Sequence, residues 1–317
     1  MKPRPVSLYL CSVGLAALLS VTAPLSAHAQ AATPAATSAA TSAATSAAPA
    51  RLLVAHPVVA SLTQAVVQGT GIAVLRPVPE TLPANRQLAF FGSRGAAGLA
   101  QAARQADAVI ALRSIWPDDP LFPLARRQNI RLIEIDAARP LDASLPGIAL
   151  REGADPAAAL PWLDAVNLGR MADVIAADVS RLVPHARPRL QDNVAALRQR
   201  LLAVTAQSEA RLARAANLSV FSLSDRLDYL VSGFNLDLVG TDSREDDAAW
   251  TPEALAALAQ RLREGAVAAA LHHREPPPAV AQAVQEAGAR LIVLQTEGRD
   301  PLGDLQANAE RLGALAP

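Results

Sequence analysis

From residue 51 onward, the hydrophobic pattern alternates short apolar runs with longer segments of helical periodicity. Most of the apolar runs are continuous rather than alternating, which is typical of parallel strands covered by helices on both faces. Strands that alternate with helices predict a parallel sheet. The eight predicted strands are residues 52–55, 72–78, 107–112, 131–135, 218–223, 236–241, 267–271 and 290–294.

The segment between the fourth and fifth strands is predicted to be entirely helical. Residues 167–182 are amphipathic and stop near Pro184, and after Pro188 the apolar positions 190, 194, 197, 201 and 204 follow spacings of three and four. One helix from about residue 189 to residue 215 would be roughly 40 Å long, which exceeds the diameter of a small lobe. We therefore predict an α/β fold of two lobes, each with a roughly four-stranded parallel sheet flanked by helices, joined by a long spanning helix.

The first fifty residues have a different character. A short basic region with Lys2 and Arg4, an apolar run over residues 6–21 and the sequence Ala27-His28-Ala29 predict a cleaved signal peptide over residues 1–29. Residues 30–50 repeat alanine, threonine and serine, which predicts a disordered linker. We expect an N-terminal lobe at 51–165, a helical connection at 166–215, a C-terminal lobe at 216–317, and export to the periplasm.

Composition excludes several function classes. The chain has 29 basic and 29 acidic residues, so it lacks the net positive charge expected of a nucleic-acid binder. Its single cysteine, Cys11, excludes disulfide scaffolds and thiol catalysis in the mature chain. No G-x-S-x-G, H-E-x-x-H or phosphate-loop motif is present. We therefore expect a monomeric protein that is not an enzyme and has no organic cofactor.

Residues 161–164 read Pro-Trp-Leu-Asp and precede a predicted helix that contains Met171-Ala172. This stretch resembles the signature of the metal-binding receptors of ABC transporters. Residues 75–79, 106–110, 225–236 and 286–294 resemble further segments of that family in the same order, so the likeness covers residues 51–317. The resemblance implies an importer's solute-binding component, zinc or manganese as the transported ligand in the interlobe cleft, and a membrane permease as partner.

The departures from the family pattern concern its metal ligands. The resemblance implies histidines, a carboxylate and a final aspartate at positions that here fall near Pro83-Ala84 and at Leu160, Ser224 and Gln295. Leucine and alanine cannot coordinate a metal, and serine and glutamine are poor zinc ligands. A bound metal would therefore need a rebuilt site, which would favour zinc over manganese. The candidate metal ligands are His56, Asp225, His272 and Glu297.

Arginines provide an alternative. Arg86 lies in a predicted loop where the family places its first ligand, and Arg113 and Trp116 follow the third strand. Guanidinium groups bind carboxylates and phosphates and repel metal cations. Two alternative functions stay open: binding of an anionic or chelated solute, or an accessory metal-handling role. The arginines could instead form ion pairs with Asp118, Asp119 or Asp225 and bind no ligand. The candidate ligand-binding residues are Arg86, Arg113, Trp116, Trp162, Ser224 and Gln295.

Overall fold

In the computed structural model, each of the eight apolar runs overlaps a β-strand, as predicted. The strands are β1 Arg51–Val54, β2 Ala73–Leu75, β3 Ala108–Ala111, β4 Ile133–Asp136, β5 Ser219–Ser222, β6 Asp237–Thr241, β7 Ala269–His272 and β8 Arg290–Val293. The structure describes residues 49–142, 145–151, 159–244, 246–296 and 299–317. The predicted signal peptide, most of the predicted linker and Glu297 lie outside these residues.

The strands form two parallel four-stranded sheets with the same order. The first sheet has the order β2-β1-β3-β4, and the second has the order β6-β5-β7-β8. We call the parts of the chain built on these sheets the first and second lobes. In each sheet the strand order reverses beside the first strand, and open parallel sheets bind ligands beyond the carboxyl ends of their strands at such a point.

Ten helices flank or connect the sheets in the described part of the chain. They are α1 Pro57–Val66, α2 Gln87–Phe91, α3 Ala96–Gln105, α4 Leu121–Arg126, α5 Ala165–Leu182, α6 Arg187–Leu212, α7 Asp228–Gly233, α8 Pro252–Glu264, α9 Pro278–Glu286 and α10 Pro301–Leu312. None of these helices is both long enough and apolar enough to cross a lipid bilayer.

The loop predicted around Arg86 is a helical segment instead. Residues Ala84–Arg86 form a 3-10 turn that runs directly into α2. The buried side chain of Gln87 explains this, because its Nε2 donates a hydrogen bond to the carbonyl of Ala55 at 3.1 Å. This long-range bond fixes the segment against the end of β1. No local sequence pattern predicts the bond.

Helix α5 forms the centre of the molecule. It begins at an Asp164 cap, whose Oδ1 accepts a hydrogen bond from the backbone N–H of Asn167 at 2.8 Å. Leu168, Met171 and Ile175 are completely buried, and the helix packs against α1, α6 and β4. Because 11 of its 18 residues are buried, α5 is a core element rather than a surface connection.

Helix α6 is the predicted spanning helix, and the structure confirms it. It has 26 residues, which corresponds to about 39 Å. It packs against α1 in the first lobe and against α10 in the second. On the first-lobe side, Asn193 Nδ2 donates hydrogen bonds to the carbonyls of Val66 and Gln68, each at 2.8 Å.

The two lobes share one of three apolar clusters in the described part of the chain, and each lobe also has a cluster of its own. The shared cluster of buried side chains includes Leu52 and Ile110 of the first sheet, residues of α5 and α6, and Val220 and Leu271 of the second sheet. Because this cluster is continuous, we expect the lobes to unfold together rather than one after the other.

Two adjacent leucines of α6 test this core. Leu201 is 5% exposed and belongs to the shared cluster, whereas Leu202 is 69% exposed. We expect Leu201→Ala to lower the free energy of unfolding by about 2–5 kcal/mol and Leu202→Ala to change it by less than about 0.5 kcal/mol. Urea unfolding followed by circular dichroism measures both. Two separate transitions, or equal effects of the two substitutions, would contradict a shared core.

Candidate functional site

A cavity of about 520 Å³ opens between the lobes. It lies beside the carboxyl end of β1, the region where the strand order of the first sheet reverses. Residues from both lobes and from the segment that precedes α5 line it. The lining residues are 56–58, 80–86, Leu160, Trp162, Arg226 and Arg299.

Short turns at the ends of strands and helices position the lining side chains. His56 follows β1 and occupies the N-cap position of α1, with Pro57 in the first helical turn. Trp162 lies in a 3-10 turn, Pro161–Leu163, before α5. In the second lobe, the 3-10 turn Asp225–Leu227 carries Arg226 to the cavity after β5.

His56 is packed between aromatic rings at the cavity wall. Its ring centroid lies 5.0 Å from that of Trp162 and 6.4 Å from that of Trp116, both in edge-on arrangements. His56 Nδ1 and Trp162 Nε1 are buried without a hydrogen-bond partner among the described residues. Burial, together with the charge of Arg76, lowers the pKa of His56 to about 4, so the imidazole is neutral at pH 7.

Positive charge dominates the rest of the wall. The described lining residues include Arg86, Arg226 and Arg299 but a single carboxylate, that of Glu80. Arg299 Nη1 lies 3.6 Å from Glu80 Oε2, and Arg76 Nη2 donates to the Glu80 carbonyl at 3.5 Å. Burial is the main cause that lowers the pKa of Arg76, and the charge of Arg299 lowers it further. The guanidinium groups of Arg76 and Arg299 therefore both lie close to Glu80.

The structure divides the six sequence-predicted ligand-binding residues. Arg86 and Trp162 line the cavity, and Trp116 lies behind His56. Arg113 is held instead in an ion pair with Glu134 at 3.3 Å. Arg113 therefore forms an ion pair, but with Glu134 and not with Asp118, Asp119 or Asp225, which the sequence interpretation named as partners.

Ser224 and Gln295 have structural contacts in place of a position on the cavity wall. The buried Ser224 hydroxyl accepts a hydrogen bond from the backbone N–H of Arg226 at 3.2 Å and so caps the turn that carries this arginine. The backbone of Gln295 exchanges two hydrogen bonds with the Asn308 side chain, at 2.8 and 2.7 Å, which fixes the end of β8 to α10.

The three described metal-ligand candidates do not form a common site. Within the described residues, no group of three or more His, Cys, Asp or Glu side chains is placed to hold one metal ion. His272 is 2% exposed, stacks on His273 at 4.9 Å, and accepts a hydrogen bond at Nδ1 from the backbone N–H of Arg274. Asp225 is exposed on its turn, so neither side chain joins His56 at the cavity wall.

The cavity nevertheless coincides with positions where the family resemblance placed metal ligands. Pro83, Ala84 and Leu160 all line it. These side chains offer no coordinating atom, whereas their neighbours Arg86, Trp162 and Arg226 offer hydrogen-bond donors. Two of the four positions taken from the resemblance therefore lie at the cavity wall, and neither supplies a metal ligand.

Three charged lining residues were missed by the sequence interpretation: Glu80, Arg226 and Arg299. A signal for two of them was available. Arg226 follows β5 and Arg299 follows β8, so both lie beyond the carboxyl ends of strands, where parallel sheets gather ligand-binding residues.

Comparison with known proteins identifies the family. The family model "Zinc-uptake complex component A periplasmic" (ZnuA) matches residues 117–311. The chain belongs to the ZnuA family. This is a family of substrate-binding proteins rather than enzymes, and it agrees with the resemblance seen in the sequence. A comparison of the sequence with curated proteins gave no match.

Solved structures show the same fold as this ZnuA family member. FpvC from Pseudomonas aeruginosa in complex with Ni²⁺ is 19% identical, with a TM-score of 0.63 over 84% of this chain and 96% of that chain. A ZnuA crystal structure is 19% identical, with a TM-score of 0.60 over 85% and 100%. The laminin-binding protein Lbp of Streptococcus pyogenes is 18% identical, with a TM-score of 0.59 over 86% and 100%.

The lowered pKa of His56 predicts a pH dependence of stability. Above pH 6.5 the imidazole is neutral in both states, but between pH 6.5 and about 4 the unfolded chain binds a proton that the folded chain does not. Stability therefore falls as the pH falls through this window. His272 has its pKa lowered to about 4 as well, mainly by burial, and contributes in the same direction.

We expect His56→Gln to reduce the loss of unfolding free energy between pH 7 and pH 4.5 by about 2 kcal/mol. His185→Gln is the matched control, because His185 is exposed and its replacement should leave the pH dependence unchanged. Urea unfolding at the two pH values measures the difference. An unaltered pH dependence in His56→Gln would show that this imidazole is not buried in the neutral form.

Proposed function

We propose that this chain is the solute-binding component of an ABC importer and that it holds its solute in the interlobe cavity. The observation that carries the proposal is the position of this cavity. It lies beyond the carboxyl end of β1, and both lobes contribute side chains. Its wall includes Leu160 and the Pro83-Ala84 segment, at or near which the sequence resemblance placed two of the family's ligands. Membership of the ZnuA family supports the transport role.

The organisation of the chain fits this role. In the proposal, residues 1–29 direct export to the periplasm and are removed, and residues 30–50 form a linker. The lobes at 51–165 and 216–317, joined by the connection at 166–215, form the monomeric solute-binding body. A permease in the inner membrane and its ATPase would be the partners.

Family membership and the chemistry of the cavity wall both bear on the solute class. The family and FpvC, which was solved with Ni²⁺, favour a role in divalent-metal uptake. The cavity wall offers guanidinium groups and one neutral imidazole, a poor donor set for a bare cation. A role in metal uptake therefore fits this cavity best when the metal reaches it as part of an anionic complex.

Reconstitution tests the transport role. We expect the purified chain to stimulate ATP hydrolysis by one metal-importer-type permease–ATPase pair from the same genome, reconstituted in proteoliposomes with the chain on the extracytoplasmic side. Stimulation should be at least severalfold and should saturate with the concentration of the chain.

A heat-unfolded sample of the same chain is the control and should have no effect. If the folded chain stimulates none of the metal-importer-type pairs of the genome, the transport role is wrong and the chain is a binding module outside transport.

A further inference from the structure

We propose that the interlobe cavity binds an organic anion with more than one carboxylate group, and that arginines of both lobes hold it. This inference rests on the proposed function in one respect, the assignment of the cavity as the ligand site. It goes further in naming the chemical class of the ligand.

The cavity wall carries more positive than negative charge among its described residues. Among the described lining residues, the guanidinium groups are those of Arg86, Arg226 and Arg299, and the single carboxylate is that of Glu80. Arg299 pairs with Glu80 and Arg226 has a partner of its own, so the charge of Arg86 remains in excess. In the adjoining groove, which shares Pro57, Glu80 and Arg299 with the cavity, Arg76 and Asp300 add one charge of each sign. The excess of positive charge therefore persists across both spaces and favours an anion.

The arginines of the cavity and the adjoining groove come from both lobes. Arg76 and Arg86 belong to the first lobe, whereas Arg226 and Arg299 belong to the second. Arg86 makes no ion pair among the described residues, and the pKa of Arg76 is lowered by burial and by the charge of Arg299. An anion with groups at two points can contact both lobes, because each guanidinium group can bind a carboxylate through paired hydrogen bonds.

The size and polarity of the cavity suit a small organic molecule. A volume of about 520 Å³ suits a small organic molecule, since such pockets usually measure about 300–1,000 Å³, and it is far larger than one ion requires. Leu82, Pro83, Leu160 and Trp162 supply apolar surface for a carbon skeleton. His56 contributes a neutral ring, so it adds a hydrogen-bonding group to the wall without a charge.

Glu80 is the single carboxylate among the described lining residues. Its carboxylate lies 3.6 Å from Arg299 and occupies a position that a ligand carboxylate could take. It therefore competes with an anionic ligand and would attract a cationic one. The two ligand classes consequently respond to the loss of this carboxylate in opposite directions.

Calorimetric titration of the purified chain with citrate tests the inference. We expect saturable binding at one site, weakened at least tenfold in Arg86→Gln and in Arg299→Gln. Arg104→Gln is the matched control, because Arg104 is exposed on α3 and does not line the cavity. Raising the salt concentration should weaken binding in the wild-type chain.

Two further arms separate the ligand classes. Glu80→Gln should strengthen citrate binding severalfold, whereas it should weaken binding of a bare cation. Inorganic phosphate, a single small anion without a carbon skeleton, should bind at least tenfold more weakly than citrate because it offers one charged group instead of several carboxylates. Zinc citrate should bind at least as tightly as citrate if the anion carries a metal into the cavity.

The inference is overturned if citrate and zinc citrate show no saturable binding, or if the arginine substitutions leave their affinity unchanged. It is also overturned if Zn²⁺ alone binds with a submicromolar Kd that His56→Ala and His272→Ala both abolish. Stimulation of a permease–ATPase pair is measured separately, so the ligand class can fail while the transport role stands, and the reverse.

Discussion

The apolar cluster that α5 and α6 share with both lobes is the constraint on which the rest of the structure depends. Helix α5 lies within this single cluster, which joins the inner faces of the two sheets, and α6 runs beside it along both lobes. The position of one sheet relative to the other is therefore fixed by core packing rather than by a flexible linker. A well-packed core resists deformation, so we expect the space between the lobes to change little when a ligand enters it.

This frame explains how a binding site can keep its place while its chemistry changes. The cavity wall is built from turns at the ends of strands, such as Ala84–Arg86 and Asp225–Leu227, whose backbones are held by buried hydrogen bonds of Gln87 and Ser224. Side chains that project from such turns can be exchanged without disturbing the core. A wall with Leu160 and several arginines in place of metal ligands is compatible with the same fold as a metal-binding wall.

The fold was largely predictable because its signals are local. Continuous apolar runs indicated all eight strands, and the spacing of Leu190, Val194, Leu197 and Leu201 indicated α6. The short α2 segment was not predicted, because a hydrogen bond between Gln87 and the distant Ala55 holds it in place.

The candidate site was predictable only in part, because it depends on pairings between distant residues. Arg113 and Arg86 look alike in sequence, yet Arg113 is paired with Glu134 and Arg86 lines the cavity. His56 and His272 both end strands, but His272 is enclosed by its neighbours in the second lobe. The position of Arg299 after β8 was a usable sequence signal, but its pairing with Glu80 of the first lobe depends on the packing of the two lobes.

The central claim is that the interlobe site of this family member has become a site for anions. Anomalous diffraction from crystals soaked in selenate, with a parallel soak in zinc chloride, tests it most directly. The account predicts a selenium peak within the cavity, in contact with Arg86 or Arg299, and no zinc peak there. A zinc peak at His56 without selenium in the cavity would contradict it.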